Sequence, residues 1–196
     1  MTMNEIQIVV GNMSEAVPQL ETDESYVLHI PQEGTAMTLH AGTIYGILRG
    51  LETLSQMILF DFENESYVLK NAPWNIIDAP RFPHRGLMID TSRHFLPLYH
   101  IRRVIDSIAY AKMNVLHWHM GDNPSFPLQI QSHPTLWNGS FSSQERYLQS
   151  DIAQVVEYAR DRGVRVMLEI DVPGHGKSWC KGLTATMPIN GVYNTP

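Results

Sequence analysis

The sequence predicts an α/β protein in two parts, an α+β segment at residues 1–79 and a set of parallel βα units at residues 80–196. In the first part, short runs rich in β-branched residues surround one amphipathic helical pattern. In the second part, continuous apolar strands alternate with helical patterns, which is typical of a parallel sheet covered on both faces. Between them lies the stretch NAPWNIIDAPRFPHRG, whose three prolines mark the boundary.

The first part is predicted to contain four strands and one helix. Residues 5–11, 25–30 and 35–42 are short runs of Val, Ile, Leu and Thr, and residues 66–70 return as another strand. The helix is predicted in GTIYGILRGLETLSQMI, where apolar residues recur every three or four positions from Ile44 to Ile58. This spacing places one apolar stripe against a sheet.

The second part is predicted to alternate between strand and helix. Strands are expected at residues 86–90, 115–120 and 164–170, and a helix is expected at residues 98–113. A long polar loop follows the second strand. It leads to a second helix in DIAQVVEYARDRG, with Ser150 as the expected N-cap and Gly163 as the terminating residue.

Each of the three predicted parallel strands runs into a polar segment, namely DTSRH, GDN and DVPGH. In parallel α/β folds, ligands bind at the carboxyl ends of the strands. The sequence therefore predicts that these three segments meet at one site.

Composition restricts the class of partner. The net charge is −6, from 14 Lys and Arg against 20 Asp and Glu, so nucleic acid and anionic membranes are not expected partners. The single cysteine, Cys180, excludes an internal disulfide. The N-terminal stretch MTMNEIQIVVG has neither the apolar length nor the charge pattern of a signal peptide or a membrane helix.

The polar segments contain candidate binding and proton-transfer groups. The planar fork of Arg93 suits two adjacent hydroxyls of a sugar or a carboxylate, although an ion pair with Asp90 or Asp122 would also account for it. A carboxylate beside His175 would fix its tautomer and hold it as a proton-transfer group. Asp122 is the preferred carboxylate, and spacing alone leaves Asp171, Asp90 and Glu169 as alternatives.

Metal binding by His117 and His119 is the competing hypothesis. On a strand these two side chains share a face, which suits two zinc ligands. A third ligand is the difficulty, because His94 and His175 follow other strands and no Cys or Glu partner has a helpful spacing. We therefore expect no metal and interpret both histidines as packed residues.

Several longer motifs resemble one family. HRGLMIDTSRHFLP, AKMNVLHWHMGDNPSFP, YARDRGVRVMLEIDVPGH and SWCKG resemble the first three βα units of glycoside hydrolase family 20, the β-N-acetylhexosaminidases. AGTIYGILRGLETLSQMI resembles the helix of the small domain that precedes the barrel there. The resemblance implies an α+β accessory domain at residues 1–79 and, at residues 80–196, a partial (β/α)8 TIM barrel with about the first three strands.

The resemblance also implies an activity and its residues. Members remove terminal non-reducing N-acetylglucosamine or N-acetylgalactosamine from glycans and glycoconjugates, without a cofactor, by a retaining mechanism in which the substrate's acetamido group attacks. By position, Arg93 would hold the ring hydroxyls, Asp122 and His175 would form a relay supporting the acid, and Asp171 would shape the intervening loop. Asn123 stands where many members have a second aspartate, so a charge-based role there is in doubt.

The catalytic Asp-Glu pair of the family is expected beyond Pro196. The 196-residue chain is therefore expected to be inactive alone, and a non-catalytic sugar-binding or structural fragment is the alternative. An open sheet edge would favour self-association. The family resemblance favours a secretory or lysosomal location, as do three N-glycosylation sequons, which begin at Asn12, Asn64 and Asn138.

Overall fold

The first part of the chain folds as a mixed sheet covered by one helix. The computed structural model describes residues 5–32, 34 and 36–183. The elements of this part are β1 (Glu5–Asn12), β2 (Tyr26–Ile30), β3 (Ala36–Thr43), α1 (Ile44–Met57), β4 (Ile58–Asp61), β5 (Ser66–Leu69) and β6 (Trp74–Asp78). The sheet order is β1-β3-β2-β6, with β1 parallel to β3 and β2 antiparallel to both of its neighbours, while β4 and β5 form a separate hairpin.

Helix α1 lies close to this sheet because two glycines face it. A Cβ at Gly46 would lie 2.3 Å from the carbonyl oxygen of Ser25, and one at Gly50 would lie 2.4 Å from the side chain of Leu39. The helix begins directly after β3, where the Thr43 hydroxyl accepts a hydrogen bond from the backbone N–H of Gly46 at 3.2 Å. Residues on both surfaces form one apolar core: Tyr26, Leu28, Ile30, Leu39, Ile47 and Leu54.

The second part folds as a three-stranded parallel sheet combined with two helices. Its elements are β7 (Gly86–Asp90), α2 (Leu98–Tyr110), β8 (Val115–Gly121), α3 (Gln149–Arg160) and β9 (Arg165–Ile170), in the order β7-β8-β9. Short 3-10 helices lie at Pro134–Gly139 and Lys177–Lys181. This arrangement confirms the predicted parallel alternation of strand and helix. The main core residues are Ile89, Ile101, Ile105, Leu116, Trp118, Met120, Phe126, Tyr147 and Val155.

Two strands differ from the prediction. Ile58 is predicted as the last apolar position of α1, but it begins β4. The apolar run ILF continues the helical stripe without a break, so the sequence does not mark the end of the helix. The proline-rich stretch predicted as a boundary contains β6, which pairs along β2. Pro73 and Pro80 flank this edge strand and do not interrupt it, and that is where prolines are tolerated in sheets.

The start of α3 also differs from the prediction. Ser150 is not the N-cap, because the helix begins at Gln149. The Asp151 carboxylate accepts a hydrogen bond from the backbone N–H of Leu148 at 2.8 Å, so an acidic side chain in the first turn satisfies the helix terminus. No helix in the described ranges combines the length and apolar character needed to cross a bilayer.

A buried charge cluster joins the two parts. The Glu24 carboxylate accepts hydrogen bonds from Arg49 Nε at 2.9 Å and from Asn114 Nδ2 at 2.7 Å, and it also pairs with Arg85. Arg49 lies on α1 and donates from Nη2 to the carbonyl oxygen of Gly163 at 2.8 Å, just before β9. Because Glu24 and Arg49 are each only 4% exposed, both charges depend on these contacts.

Replacing Arg49 with Met should lower the free energy of unfolding by about 3–5 kcal/mol, because it leaves the Glu24 carboxylate buried with a missing partner. Urea denaturation monitored by circular dichroism measures this loss. Arg160→Ala is the control, because its ion-pair partners Glu157 and Asp161 are exposed, and it should change stability far less than Arg49→Met does. Equal losses in the two variants would contradict the role assigned to the cluster.

Candidate functional site

The parallel sheet brings the predicted site residues together at one end. Asp90, His119 and Glu169 lie side by side in register at the carboxyl ends of β7, β8 and β9. The loops that follow these strands carry the four predicted residues: Arg93, Asp122, Asp171 and His175. All seven belong to one network of contacts between charged groups.

Asp122 is the centre of this network. Its side chain is only 3% exposed, and Oδ2 lies 2.6 Å from Arg93 Nη2, 3.1 Å from His119 Nε2 and 3.6 Å from His175 Nδ1. Its backbone is held as well, because its N–H donates to the carbonyl oxygen of Ser125 at 3.1 Å and its carbonyl accepts from Ser178 Oγ at 2.6 Å. The carboxylate therefore has a fixed position and lies within reach of one guanidinium and two imidazoles.

Arg93 forms a clamp between two carboxylates. One guanidinium nitrogen pairs with Asp90 and the other with Asp122. Burial alone would raise the pKa of Asp90, but hydrogen bonds from the backbone and side chain of Arg93 and from the Ser92 N–H outweigh it and lower that pKa. The hydrogen bond to Asp90 in turn raises the pKa of Arg93, so the pair stays ionised. The Arg93 side chain remains half-exposed, which leaves N–H donors for a ligand.

His175 is held in an unusual backbone conformation. Its φ of +57° lies in the left-handed region, which non-glycine residues adopt at some cost, often at functional sites. Nδ1 lies 2.7 Å from Asp171 Oδ2 and 3.6 Å from Asp122 Oδ2. Asp171, predicted to shape the loop, is thus the closer carboxylate. Since Nδ1 faces the carboxylates, proton exchange with another group would use Nε2.

Sequence reasoning assigned His119 to packing, and the structure places it inside the network. The buried ring lies with Nδ1 3.1 Å from Glu169 Oε1 and Nε2 3.1 Å from Asp122 Oδ2. Both nitrogens can donate only in the imidazolium form. Burial would lower the pKa of His119, but the hydrogen bond to Asp122 and the charge of Glu169 outweigh it and raise that pKa above 6.5. His117 Nε2 contacts the other oxygen of Glu169.

A signal for His119 was present in the sequence. Asp90 is the last residue of β7 and Glu169 is the second-last residue of β9, and His119 pairs with both across the sheet. An imidazole between two carboxylates can form ion pairs with both. This environment of His119 can be recognised only when the three strands are aligned.

Among the residues that the structure describes, two groups of side chains have the composition of a metal site. The potential ligand atoms of His119, Asp122 and His175 lie within 4.8 Å of one another, and so do those of His119, Glu169 and Asp171. His94 belongs to neither group. Both groups include His119, which lies between the carboxylates of Asp122 and Glu169, and Arg93 already contacts Asp122 at 2.6 Å, so positive charge is already present where an ion would sit. These contacts fit an ion-pair network better than a metal site, and elemental analysis for zinc would test this interpretation.

Comparisons with known proteins identify similar chains. A family model described as "Glycosyl hydrolase family 20, catalytic domain" matches residues 82–192, and one described as "beta-acetyl hexosaminidase like" matches residues 1–57. Beta-hexosaminidase 3 of Arabidopsis thaliana is 52% identical over 90% of this chain and 34% of its own length. Beta-hexosaminidase subunit B2 of Dictyostelium discoideum is 47% identical over 96% of this chain and 33% of its own length.

Solved structures show the same likeness. The Flavobacterium johnsoniae chitobiase structure superposes with a TM-score of 0.78 at 36% identity, covering 90% of this chain and 26% of that one. An exo-β-N-acetylglucosaminidase from Vibrio harveyi, solved in complex with N-acetylglucosamine, superposes with a TM-score of 0.72 at 26% identity, covering 89% and 29%. The chain spans about a third of the length of the curated relatives, with 34% and 33% for the two above.

The raised pKa of His119 makes stability depend on pH. A raised folded-state pKa contributes stability that is fully present below 6.5, the unfolded value, and is lost as pH rises through the folded value. His119→Gln should therefore remove this part of the pH dependence. Urea unfolding across a pH series measures the difference between the two proteins.

His133→Gln is the matched control, because His133 lies exposed in a loop away from the network. It should keep the wild-type decline in stability towards alkaline pH. A decline of the same size in His119→Gln would show that the imidazolium between Asp122 and Glu169 does not stabilise the fold.

Proposed function

Because the chain belongs to glycosyl hydrolase family 20, we propose that it contributes part of the active site of a β-N-acetylhexosaminidase. The proposed reaction removes terminal non-reducing N-acetylglucosamine or N-acetylgalactosamine, with the substrate's own acetamido oxygen attacking the anomeric carbon. The observation that carries the proposal is Arg93, held between Asp90 and Asp122 beside His175 at the carboxyl ends of three parallel strands.

Arg93 is proposed to bind the ring hydroxyls of the terminal sugar. The guanidinium has five N–H donors in one plane, and its contacts with Asp90 and Asp122 fix that plane. The remaining donors of this half-exposed side chain have the spacing for two adjacent hydroxyl oxygens. Fixing the plane in advance lowers the entropy lost when the sugar binds.

Asp122, Asp171 and His175 are proposed to support proton transfer. Both carboxylates face Nδ1 of His175, which holds the ring orientation and leaves Nε2 for proton exchange. In the proposed mechanism, a glutamate protonates the leaving oxygen and the adjacent aspartate orients the acetamido group. These two residues are proposed to come from protein sequence outside the 196 residues, because the chain spans about a third of its relatives.

The chain divides into two proposed domains. We propose that residues 1–79 form the accessory domain of a hexosaminidase and that residues 80–196 form the first part of a (β/α)8 barrel. Separate family models match residues 1–57 and 82–192, which supports a division in this region. A barrel of this kind needs roughly 250 residues, so the three parallel strands of this chain would be its beginning.

A non-catalytic sugar-binding fragment is the second candidate. Arg93 is held by Asp90 and Asp122, and Asp122 is held by His119, so the proposed hydroxyl-binding group has a fixed position in this chain. Among the described residues β9 pairs only with β8, and it exposes Met167, Leu168 and Ile170. We therefore also propose self-association through this edge, and a monodisperse monomer in light scattering would refute it.

The 196-residue chain is expected to show no hydrolysis of an aryl N-acetyl-β-glucosaminide. The physical reason is that the acid and the acetamido-orienting carboxylate are proposed to lie outside it. Release of the aryl alcohol, followed by absorbance at high enzyme concentration, is the measurement. Turnover that co-purifies with the chain and disappears in Arg93→Ala would contradict the proposed assignment of the missing residues.

Saturable binding of N-acetylglucosamine is expected for the chain, and Arg93→Ala should weaken it about tenfold or more, because charged hydrogen bonds are lost. Isothermal titration calorimetry measures the affinity. Arg93→Lys keeps the charge but loses the planar fork, so it should bind more weakly than wild type. Arg81→Ala, an exposed residue away from the site, is the control. Equal affinity in wild type and Arg93→Ala would exclude the proposed sugar contact.

A further inference from the structure

The β4–β5 hairpin carries an aromatic surface that the proposed active site does not use. Phe62 is 85% exposed and Tyr67 is 77% exposed. The ring of Phe60 lies between them, edge-on to both, with centroid distances of 5.0 Å to Phe62 and 5.2 Å to Tyr67. Exposure of apolar rings to water is unfavourable, and an exposed apolar cluster of this kind usually marks a site of contact with another molecule or group.

The turn of this hairpin is well ordered by its own hydrogen bonds. The Asp61 carboxylate accepts from the backbone N–H of Glu63 at 3.0 Å and from Asn64 Nδ2 at 2.9 Å. Glu65 closes the turn in the left-handed region, with φ of +47°, and Ser66 then begins β5 opposite Asp61. The exposed loop therefore places Phe62, Asn64 and Ser66 at alternate positions of one short turn.

We propose that Asn64 is an N-glycosylation site and that the first N-acetylglucosamine of its glycan lies against the ring of Phe62. Asn64-Glu65-Ser66 has the acceptor sequence. The C–H face of a pyranose is apolar with weakly positive hydrogens, and it complements the negative face of an aromatic ring. The sugar would cover apolar surface that is otherwise exposed to water. This proposal is independent of the function proposed above.

The other two sequons lack this arrangement. The residue two positions before the asparagine is Val10 for Asn12 and Leu136 for Asn138. At the third sequon the hydroxyl of Ser140 donates to the carbonyl oxygen of Trp137 at 2.7 Å, and Ser140 is buried. Only the Asn64 sequon combines an exposed aromatic ring, an exposed asparagine and an exposed hydroxyl residue.

The modification is a transfer from a lipid-pyrophosphate-linked oligosaccharide by the transferase of the secretory pathway. A bond forms between Asn64 Nδ2 and the anomeric carbon, while the bond from that carbon to the pyrophosphate oxygen breaks. The pyrophosphate leaves with the electron pair, and Nδ2 loses one proton. One N–H remains on Nδ2, which is sufficient to keep the hydrogen bond to Asp61. The proposal thus places the chain in the secretory pathway.

Occupancy is tested by expressing the full chain in a eukaryotic cell line behind a cleavable signal peptide. Peptide N-glycosidase in heavy-oxygen water converts a glycosylated asparagine to a labelled aspartate, which mass spectrometry locates. The expected result is label at Asn64 and its loss in Asn64→Gln and Ser66→Ala, whereas Asn12→Gln leaves it unchanged. Both secreted and retained protein are analysed, because transfer precedes folding. Absence of label at Asn64 in both pools would overturn the proposal.

The stacking contact is tested in the folded protein. Wild type and Phe62→Ala are each prepared in two forms, glycosylated protein trimmed to one N-acetylglucosamine and unmodified protein. The thermal midpoint of unfolding is measured for each form. The sugar should raise the midpoint by about 2–4 °C in wild type. The gain should be lost in Phe62→Ala and kept in Phe141→Ala, which removes an exposed aromatic ring elsewhere. Equal gains in wild type and Phe62→Ala would overturn the assigned role of Phe62.

Discussion

The buried Glu24 carboxylate is the contact on which the relation between the two parts of the chain depends. It binds Arg49 from α1, Arg85 from the segment before β7 and Asn114 from the segment before β8. Arg49 also reaches the carbonyl oxygen of Gly163 before β9. One carboxylate thus connects the first part to the amino ends of all three parallel strands. Since a buried charge without partners is very costly, these ends have little freedom to shift.

The opposite ends of the same strands carry the candidate site, and the strand register determines its electrostatics. Pairing of Asp90, His119 and Glu169 across the sheet places an imidazole between carboxylates, and Asp122, Asp171 and His175 extend the row. Three aspartate carboxylates and Glu169 meet one arginine and the histidines, so the local charge favours cations. This explains both the raised pKa of His119 and the ionised Arg93–Asp90 pair.

Much of this could be predicted from the sequence where a pattern is local. Apolar periodicity predicted the parallel alternation of strand and helix, and the polar residues after each strand predicted that Arg93, Asp122 and His175 would meet. Strand β6 was hidden because prolines at its borders resemble a linker, and β4 because Ile58 continues the stripe of α1. The role of His119 in the network could not be predicted from its neighbours in the sequence, since it depends on partners from two other strands.

The network also shows how charge is oriented at the carboxyl ends of the parallel strands. Asp122 is buried and held by Ser125, Ser178, Arg93 and His119, so its carboxylate has a fixed orientation. Electrostatic preorganisation of this kind accounts for a large share of catalytic power in enzymes, but it stabilises charge and transfers no proton by itself. The contacts of Asp122 therefore orient charge at the carboxyl ends of the parallel strands, and a proton-transfer group beside them would meet an electrostatic environment that is already fixed.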